Sequence, residues 1–429
     1  MSAYQELAAD QLRELKNQLD QEYKEYQSKG LKLDMSRGKP APNQLDLSMD
    51  MLDSLNSTDK AVSQNGTDCR NYGLLDGIPE AKKLMADMLD VEPEDVIVGG
   101  NSSLNLMYDT MARAMLFGVP GSEKPWFQCE NRKFLCPSPG YDRHFAITEE
   151  FGFEMITVPM LPDGPDMDMV ESFVKKDESI KGIWCVPMYS NPQGITYSDE
   201  TIRRLAALKP AAKDFRIFCD NAYGMHHLYD DDQDHVLNLL RECRKAGSED
   251  MVYIFGSTSK VSFPGAGISA VAASALNLSE MKKRMSIQTI GPDKLNQLRH
   301  VLYYKDVNGV NEHMRLQAQI IGPKFQIVLK TLKEELGGKG IAQWTNPKGG
   351  YFIALDTMDG CAKRVVQLCK EAGVVMTPAG ATFPYGVDPQ DRNIRIAPTY
   401  PSVEELTVAA KLFCLCVKLA SVEKLLSGK

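Results

Sequence analysis

The stretch Asp95-Val96-Ile97-Val98-Gly99-Gly100-Asn101-Ser102-Ser103 joins a short unbroken apolar run to two glycines and a pair of serines. An apolar run without alternation predicts a strand buried on both faces, and the serines predict the start of a helix from Ser102 to Leu116. The same pattern recurs downstream. Lys181–Val186, Arg216–Cys219 and Val252–Phe255 read as further short strands, with Asp199–Leu208 and Val236–Lys245 as helices between them. Such strands separated by helices predict a mostly parallel sheet covered on both sides, the doubly wound α/β arrangement.

Around that core the pattern changes. An amphipathic helix is expected from Gln5 to Gln27, ended by Ser28-Lys29-Gly30, and the prolines and glycine of Asp34–Pro42 force an extended or turned segment. A long helix from Asn311 to Leu336 stops at Gly337-Gly338. Strands at Tyr351–Leu355, Val374–Met376 and Asn393–Ile396 and a closing helix at Val403–Leu426 predict a smaller α+β domain. The expected division is residues 1–50 as a helix and segment joining the small domain, 51–310 as the large domain, and 311–429 as the small one.

The 429 residues carry 49 basic and 57 acidic side chains, a net charge of −8, with 43% apolar residues. That composition is globular and excludes disordered, collagenous and disulfide-scaffold classes. A net negative chain without clustered Lys and Arg argues against nucleic acid as the main partner. No apolar run approaches the ~18–20 residues of a membrane helix, and the start of the chain has no leader pattern, so a cytoplasmic protein off the membrane is expected. The ten cysteines form no CxxC pair and the six histidines no HxH or HxxxH spacing. Free thiols and no metal site are therefore expected.

Ligands of such sheets bind beyond the carboxyl ends of the strands. Four polar segments stand there: Asn101-Ser102-Ser103, Ser190-Asn191-Pro192, Asp220-Asn221-Ala222-Tyr223 and Gly256-Ser257-Thr258-Ser259-Lys260. Two motifs mislead. Ser257-Thr258-Ser259-Lys260 matches SxxK but follows Asn191 and leaves a strand, the reverse of the penicillin-binding order. Gly265-Ala266-Gly267-Ile268-Ser269-Ala270 matches GxGxxA without a strand directly before it. Each residue also has an ordinary reading: Asp220, Ser102 and Ser103 as helix caps, Lys260 as a solvated turn lysine, Ser257 as a turn residue, Tyr141 and Tyr223 as packing aromatics. Arg395 is harder to dismiss, because an inward arginine in an apolar strand needs an anion. Together the segments suit an aldehyde cofactor. A lysine of lowered pKa would form the Schiff base, an acid would hold a pyridine nitrogen protonated, and a serine-rich helix start would take a phosphate.

In family order, from Ser36-Arg37-Gly38-Lys39-Pro40 to Asn393-Ile394-Arg395-Ile396-Ala397-Pro398, the chain resembles the fold-type-I pyridoxal-phosphate-dependent aminotransferases, and within them the MocR-related bacterial branch of aspartate aminotransferases. The resemblance implies the aspartate aminotransferase-like fold, pyridoxal 5'-phosphate as cofactor, and an L-amino acid and a 2-oxo acid as substrates, with aspartate or glutamate and 2-oxoglutarate expected. It implies Lys260 as the Schiff-base lysine and proton carrier, Asp220 on the pyridine nitrogen, and Asn191 and Tyr223 on the ring oxygen. Ser102, Ser103 and Ser257 would serve the phosphate, Tyr141 would stack on the ring, and Arg395, Asn191 and backbone at Gly38 would take the substrate carboxylate. Tyr72 in Asn71-Tyr72-Gly73 would reach the phosphate of a partner subunit, which implies a homodimer with shared sites.

Departures accompany the match. The phosphate-neutralising arginine of a Pro-Gly-x-Arg context is missing from Pro264-Gly265-Ala266-Gly267, and Gln193 stands for a common threonine. Arg37, Lys39, Arg143 and Arg299 are all candidates for a distal carboxylate. β-Elimination or transamination of another amino acid are alternatives on this fold. A ligand-sensing domain of a transcription regulator ranks lower, because one helix before Gly38 leaves no room for a DNA-reading domain.

Overall fold

In a computed structural model describing residues 4–428, an eight-stranded sheet forms the centre of the larger part of the chain. Its strands are β1 (Val96–Gly99), β2 (Lys133–Ser138), β3 (Glu154–Leu161), β4 (Gly164–Pro165), β5 (Ile180–Cys185), β6 (Arg216–Asp220), β7 (Val252–Ser257) and β8 (Ser269–Ala273). The spatial order is β1-β8-β7-β6-β5-β2-β3-β4. β7, β6, β5, β2 and β3 pair in parallel, whereas β8 runs antiparallel to both β7 and β1. β1 therefore points the same way as β7, and the carboxyl ends of β1, β2, β5, β6 and β7 open on one edge. Every residue of β5 and β6 is buried, as strands covered on both faces require.

The expected elements are present with shifted ends. The first helix runs Ala9–Ser28, and the helix expected from Val236 begins at Leu239 because the Asn238 side chain accepts from the Arg241 N–H. The long helix spans Val307–Leu336 with Pro323 inside it. In this sheet β2, β3, β4 and β8 had no expectation. In β2 only Phe134 has high strand propensity and the run ends in Pro137-Ser138, and in β8 Val271 is the one branched residue among serine and alanines, so neither run is long enough to mark a strand.

Beyond Val307 a second core forms. β9 (Ala342–Trp344), β10 (Ile353–Thr357) and β11 (Asn393–Ile396) make an antiparallel sheet, and Leu33–Asp34 pairs in parallel with Val374–Val375. Leu12, Leu19 and Tyr23 of the first helix pack into this core with Phe413 and Leu415 of the Val403–Ser427 helix. The Tyr23 hydroxyl donates to the Leu368 carbonyl at 2.7 Å. The two chain ends thus share one apolar cluster, separate from the cluster under the large sheet. All ten cysteines are free and nine are buried. Among the described residues no helix is long and apolar enough to cross a membrane, and no group of three or more ligating side chains could hold a metal.

Candidate active site

A cleft of about 140 Å³ lies at the carboxyl edge of the sheet. Ser102 and Ser103 from the turn after β1, Tyr141 after β2, Asn191 after β5, Asp220 and Tyr223 at the end of β6, and Ser257 and Lys260 after β7 all line it. Eight of the expected site residues, scattered over some 160 positions, therefore meet on one wall.

The Lys260 turn is fixed from behind. Thr258 is fully buried, and its hydroxyl accepts from the Ile268 N–H at 2.9 Å and lies 3.2 Å from His300 Nε2. Ser262 Oγ meets the same imidazole nitrogen at 2.9 Å. The Lys260 amine sits 5.0 Å from the centre of the Tyr223 ring and 5.9 Å from that of Tyr351. Burial holds its pKa below the ordinary value, and the Asp220 carboxylate opposes that shift. His226, packed on Tyr223 and Tyr351 and close to the Lys260 charge, is pushed by burial down to about 3 and stays neutral.

Asp220 is 3% exposed. Its Oδ2 lies 3.0 Å from His144 Nε2, within hydrogen-bond distance. His144 stacks on Trp184 at 4.3 Å with a 7° angle between the rings, and the Trp184 indole N–H donates to Thr148 Oγ1. Asp220 Oδ1 is buried with no hydrogen-bond partner among the described residues. Such an orphan acceptor calls for a donor from a ligand.

Tyr141 packs edge-on against His144 at 4.9 Å, and burial with the nearby Asp220 charge raises its hydroxyl to about 12. Tyr223 is raised well above its usual range by burial first. Both phenols are therefore donors at neutral pH. Ser102 also caps its helix, accepting from the Leu104 N–H at 3.2 Å. Its capping role does not remove it from the cleft, which Ser102, Ser103 and Leu104 of this helix start all line.

Arg395, on β11, joins the cleft through Asn191: Nη1 donates to Asn191 Oδ1 at 3.2 Å and to Asp142 Oδ1 at 3.0 Å. Nε donates to Thr377 Oγ1 at 3.3 Å, and the guanidinium lies over the Phe352 ring at 4.8 Å. Gly38 approaches the same ring so closely that a Cβ there would lie 2.2 Å from Phe352 Cζ, so only glycine fits. Tyr72 is not in this cleft; it is 78% exposed on its turn. None of Arg37, Lys39, Arg143 and Arg299 lines the cleft. Lys39 lies over the Tyr400 ring, and Arg299 donates to Asn296 Oδ1.

The missing arginine has a steric reason. A Cβ at Gly267 would sit 2.9 Å from Thr258 Oγ1 and 3.1 Å from the Phe263 carbonyl oxygen, so the position that would carry that arginine admits no side chain without displacing the Lys260 turn. Lys260 is the one cation among the residues lining the cleft. Sequence reasoning did not single out His144, Asp142, Thr377, Phe352 or Ser259. Ser259 lines the cleft and has a local signal, the Ser-x-Ser before the lysine; its Oγ donates to the Asn101 carbonyl at 2.7 Å.

A family model described as aspartate amino-transferase matches residues 7–429. The chain belongs to the aspartate aminotransferase family. Within the family it is 45% identical over 419 residues to the aspartate aminotransferase of Corynebacterium glutamicum, covering 98% of this chain and 96% of that protein. The crystal structure of an aspartate transaminase from the same organism matches with a TM-score of 0.96 at 44% identity over 99% of each chain. An α-aminoadipate aminotransferase from Thermus thermophilus, solved with N-(5'-phosphopyridoxyl)-L-leucine, shares the fold at 21% identity, with a TM-score of 0.73 over 95% of this chain and 96% of that one. This family member is a pyridoxal-phosphate-dependent transaminase. The residues present suit the cofactor: an orphan buried carboxylate oxygen for a ring N–H, an amine of lowered pKa, and hydroxyls at a helix start for a phosphate.

Proposed function

We propose that the chain moves the amino group of an acidic L-amino acid, aspartate or glutamate, to a 2-oxo acid such as 2-oxoglutarate, using the Lys260 cleft. The observation that carries this reading is the orphan Oδ1 of Asp220, facing the same cleft as Lys260 and joined through Asn191 to Arg395. The acidic substrate is supported by the names of the relatives. When bound, pyridoxal phosphate supplies an aldehyde that takes the amine and a ring that accepts the electron pair released at the substrate Cα.

The chain's own residues do the rest. Asp220 would hold the proton on the pyridine nitrogen, and His144, locked on Trp184, keeps the carboxylate aimed. Lys260, neutral more readily than an exposed lysine, would take the proton from the substrate Cα and return it two atoms further on, to the carbon on the other side of the amino nitrogen. Asn191 and Tyr223 would donate to the ring oxygen. Tyr141 would stack on the ring, and Ser102, Ser103 and Ser257 would hold the phosphate. Arg395, held by Thr377 and Phe352, grips the α-carboxylate beside the Gly38 backbone.

Tyr72 is read as serving the phosphate of a second copy, which makes the working unit a homodimer. Residues 1–50 and 311–429 are read as the small domain and its approach, and 51–310 as the cofactor domain. A cytoplasmic location goes with these substrates. A transamination panel tests the reading: aspartate, glutamate, alanine, aromatic amino acids and 2-aminoadipate, each with 2-oxoglutarate or oxaloacetate. Aspartate with 2-oxoglutarate should turn over fastest. Turnover led by an aromatic or aliphatic amino acid would contradict the acidic-substrate reading, and release of pyruvate and ammonia without a new amino acid would point to elimination.

A further inference from the structure

Arg395 has a resident competitor. Its Nη1 donates to the Asp142 carboxylate at 3.0 Å and to the Asn191 amide oxygen at 3.2 Å, and its Nε donates to Thr377 Oγ1. Nη2 makes no hydrogen bond to the described residues. A carboxylate that grips a guanidinium with both oxygens must use Nη2 together with either Nη1 or Nε. On either edge one nitrogen already has a partner within the protein. The Nη1 partner Asp142 is itself a carboxylate, so replacing it exchanges like for like.

We propose that Asp142 is a resident carboxylate that pairs with Arg395 and yields it to the incoming α-carboxylate, setting how tightly acids bind. The proposal rests on the reading of Arg395 as the α-carboxylate site. The burial of the two partners is unequal: the Arg395 side chain is 10% exposed and that of Asp142 is 37% exposed. The arginine is therefore held in place while the aspartate can turn to water. Asp142 is the first residue of the Asp142–Glu150 helix, where the N-terminal N–H groups favour a negative charge without the arginine. Arg143, next to it, is exposed and takes part in no ion pair among the described residues. Releasing Arg395 thus strands no buried charge. Until released, Asp142 lowers the positive potential at the guanidinium, which weakens weakly complementary acids and speeds departure of the product acid.

The holoenzyme tests this with maleate as a non-reacting dicarboxylate, titrated by the change in cofactor absorbance. Asp142→Asn keeps the shape and removes the charge, so maleate should bind roughly 3- to 10-fold tighter, the scale of a half-exposed charge pair. KM for aspartate should fall by a similar factor while kcat does not rise. Asp142→Ala should shift affinity in the same direction, and the double variant with Arg395→Ala should show no gain. Unchanged or weaker maleate binding in Asp142→Asn, with Arg395→Ala binding poorly, overturns the proposal and makes Asp142 a brace for the arginine. Unchanged maleate binding in Arg395→Ala instead removes the reading of Arg395 itself.

Discussion

The two ends of the cleft are built differently. At the Asp220 end, proposed for the pyridine nitrogen, the groups are ionisable and nearly sealed: Asp220 at 3% exposure is held by His144 at 1%. At the phosphate end Ser102, Ser103, Ser257 and Ser259 are half-buried and uncharged, and the close packing around Gly267 keeps an arginine out. On the proposed reading one end would fix a protonation state, which needs a desolvated group, and the other would hold an anion, which hydroxyls and helix N–H groups can share. Loss of one residue should therefore be severe at the first end and graded at the second.

The largest effect belongs to Lys260. Lys260→Ala should lose the visible absorbance band of the loaded protein and slow transamination by about 10⁴-fold or more, read in a coupled assay. Residual activity within tenfold of the parent would break the contrast. Next comes Arg395→Ala, expected to cost ~2–5 kcal/mol of substrate binding, seen mainly in KM. Asp220→Asn should lower kcat by about 10²-fold, and His144→Phe by about tenfold, with a shifted absorbance maximum in both. At the phosphate end Ser102→Ala and Ser257→Ala should each weaken cofactor affinity only about fivefold, near 1 kcal/mol, in equilibrium dialysis. A hundredfold loss from either serine would show that one contact, and not a shared set, anchors that end.

The smallest effect is on stability. Because Lys260 releases its proton at lower pH in the folded chain than its ordinary 10.5, the unfolded chain holds the extra proton between the two values. Apoprotein stability from this group should rise with pH through that window, and the rise should vanish in Lys260→Met. Urea unfolding at a series of pH values compares the two proteins; parallel curves would mean that burial does not shift the lysine.

The strands that carry the site were legible because β1, β5, β6 and β7 are apolar runs ending in polar residues at the cleft. β2 and β8 were not. Proline, serine and alanine give no periodic signal, and their burial comes from neighbours far along the chain. The same split holds for the site. Residues at strand ends announce themselves, whereas His144 and Asp142 act from a helix, across the sheet edge, on Asp220 and Arg395 that lie 76 and 253 positions away. Nothing local marks a histidine whose partner is fixed by topology. The steric reason for Gly267 was equally hidden, since it depends on where Thr258 folds back.

The most direct measurement loads the protein with pyridoxal phosphate, reduces it with borohydride and maps the modified peptide by mass spectrometry. A single phosphopyridoxyl group on Lys260 is the predicted result. A label on another lysine, or none, would contradict the assignment of this cleft as the transaminase site.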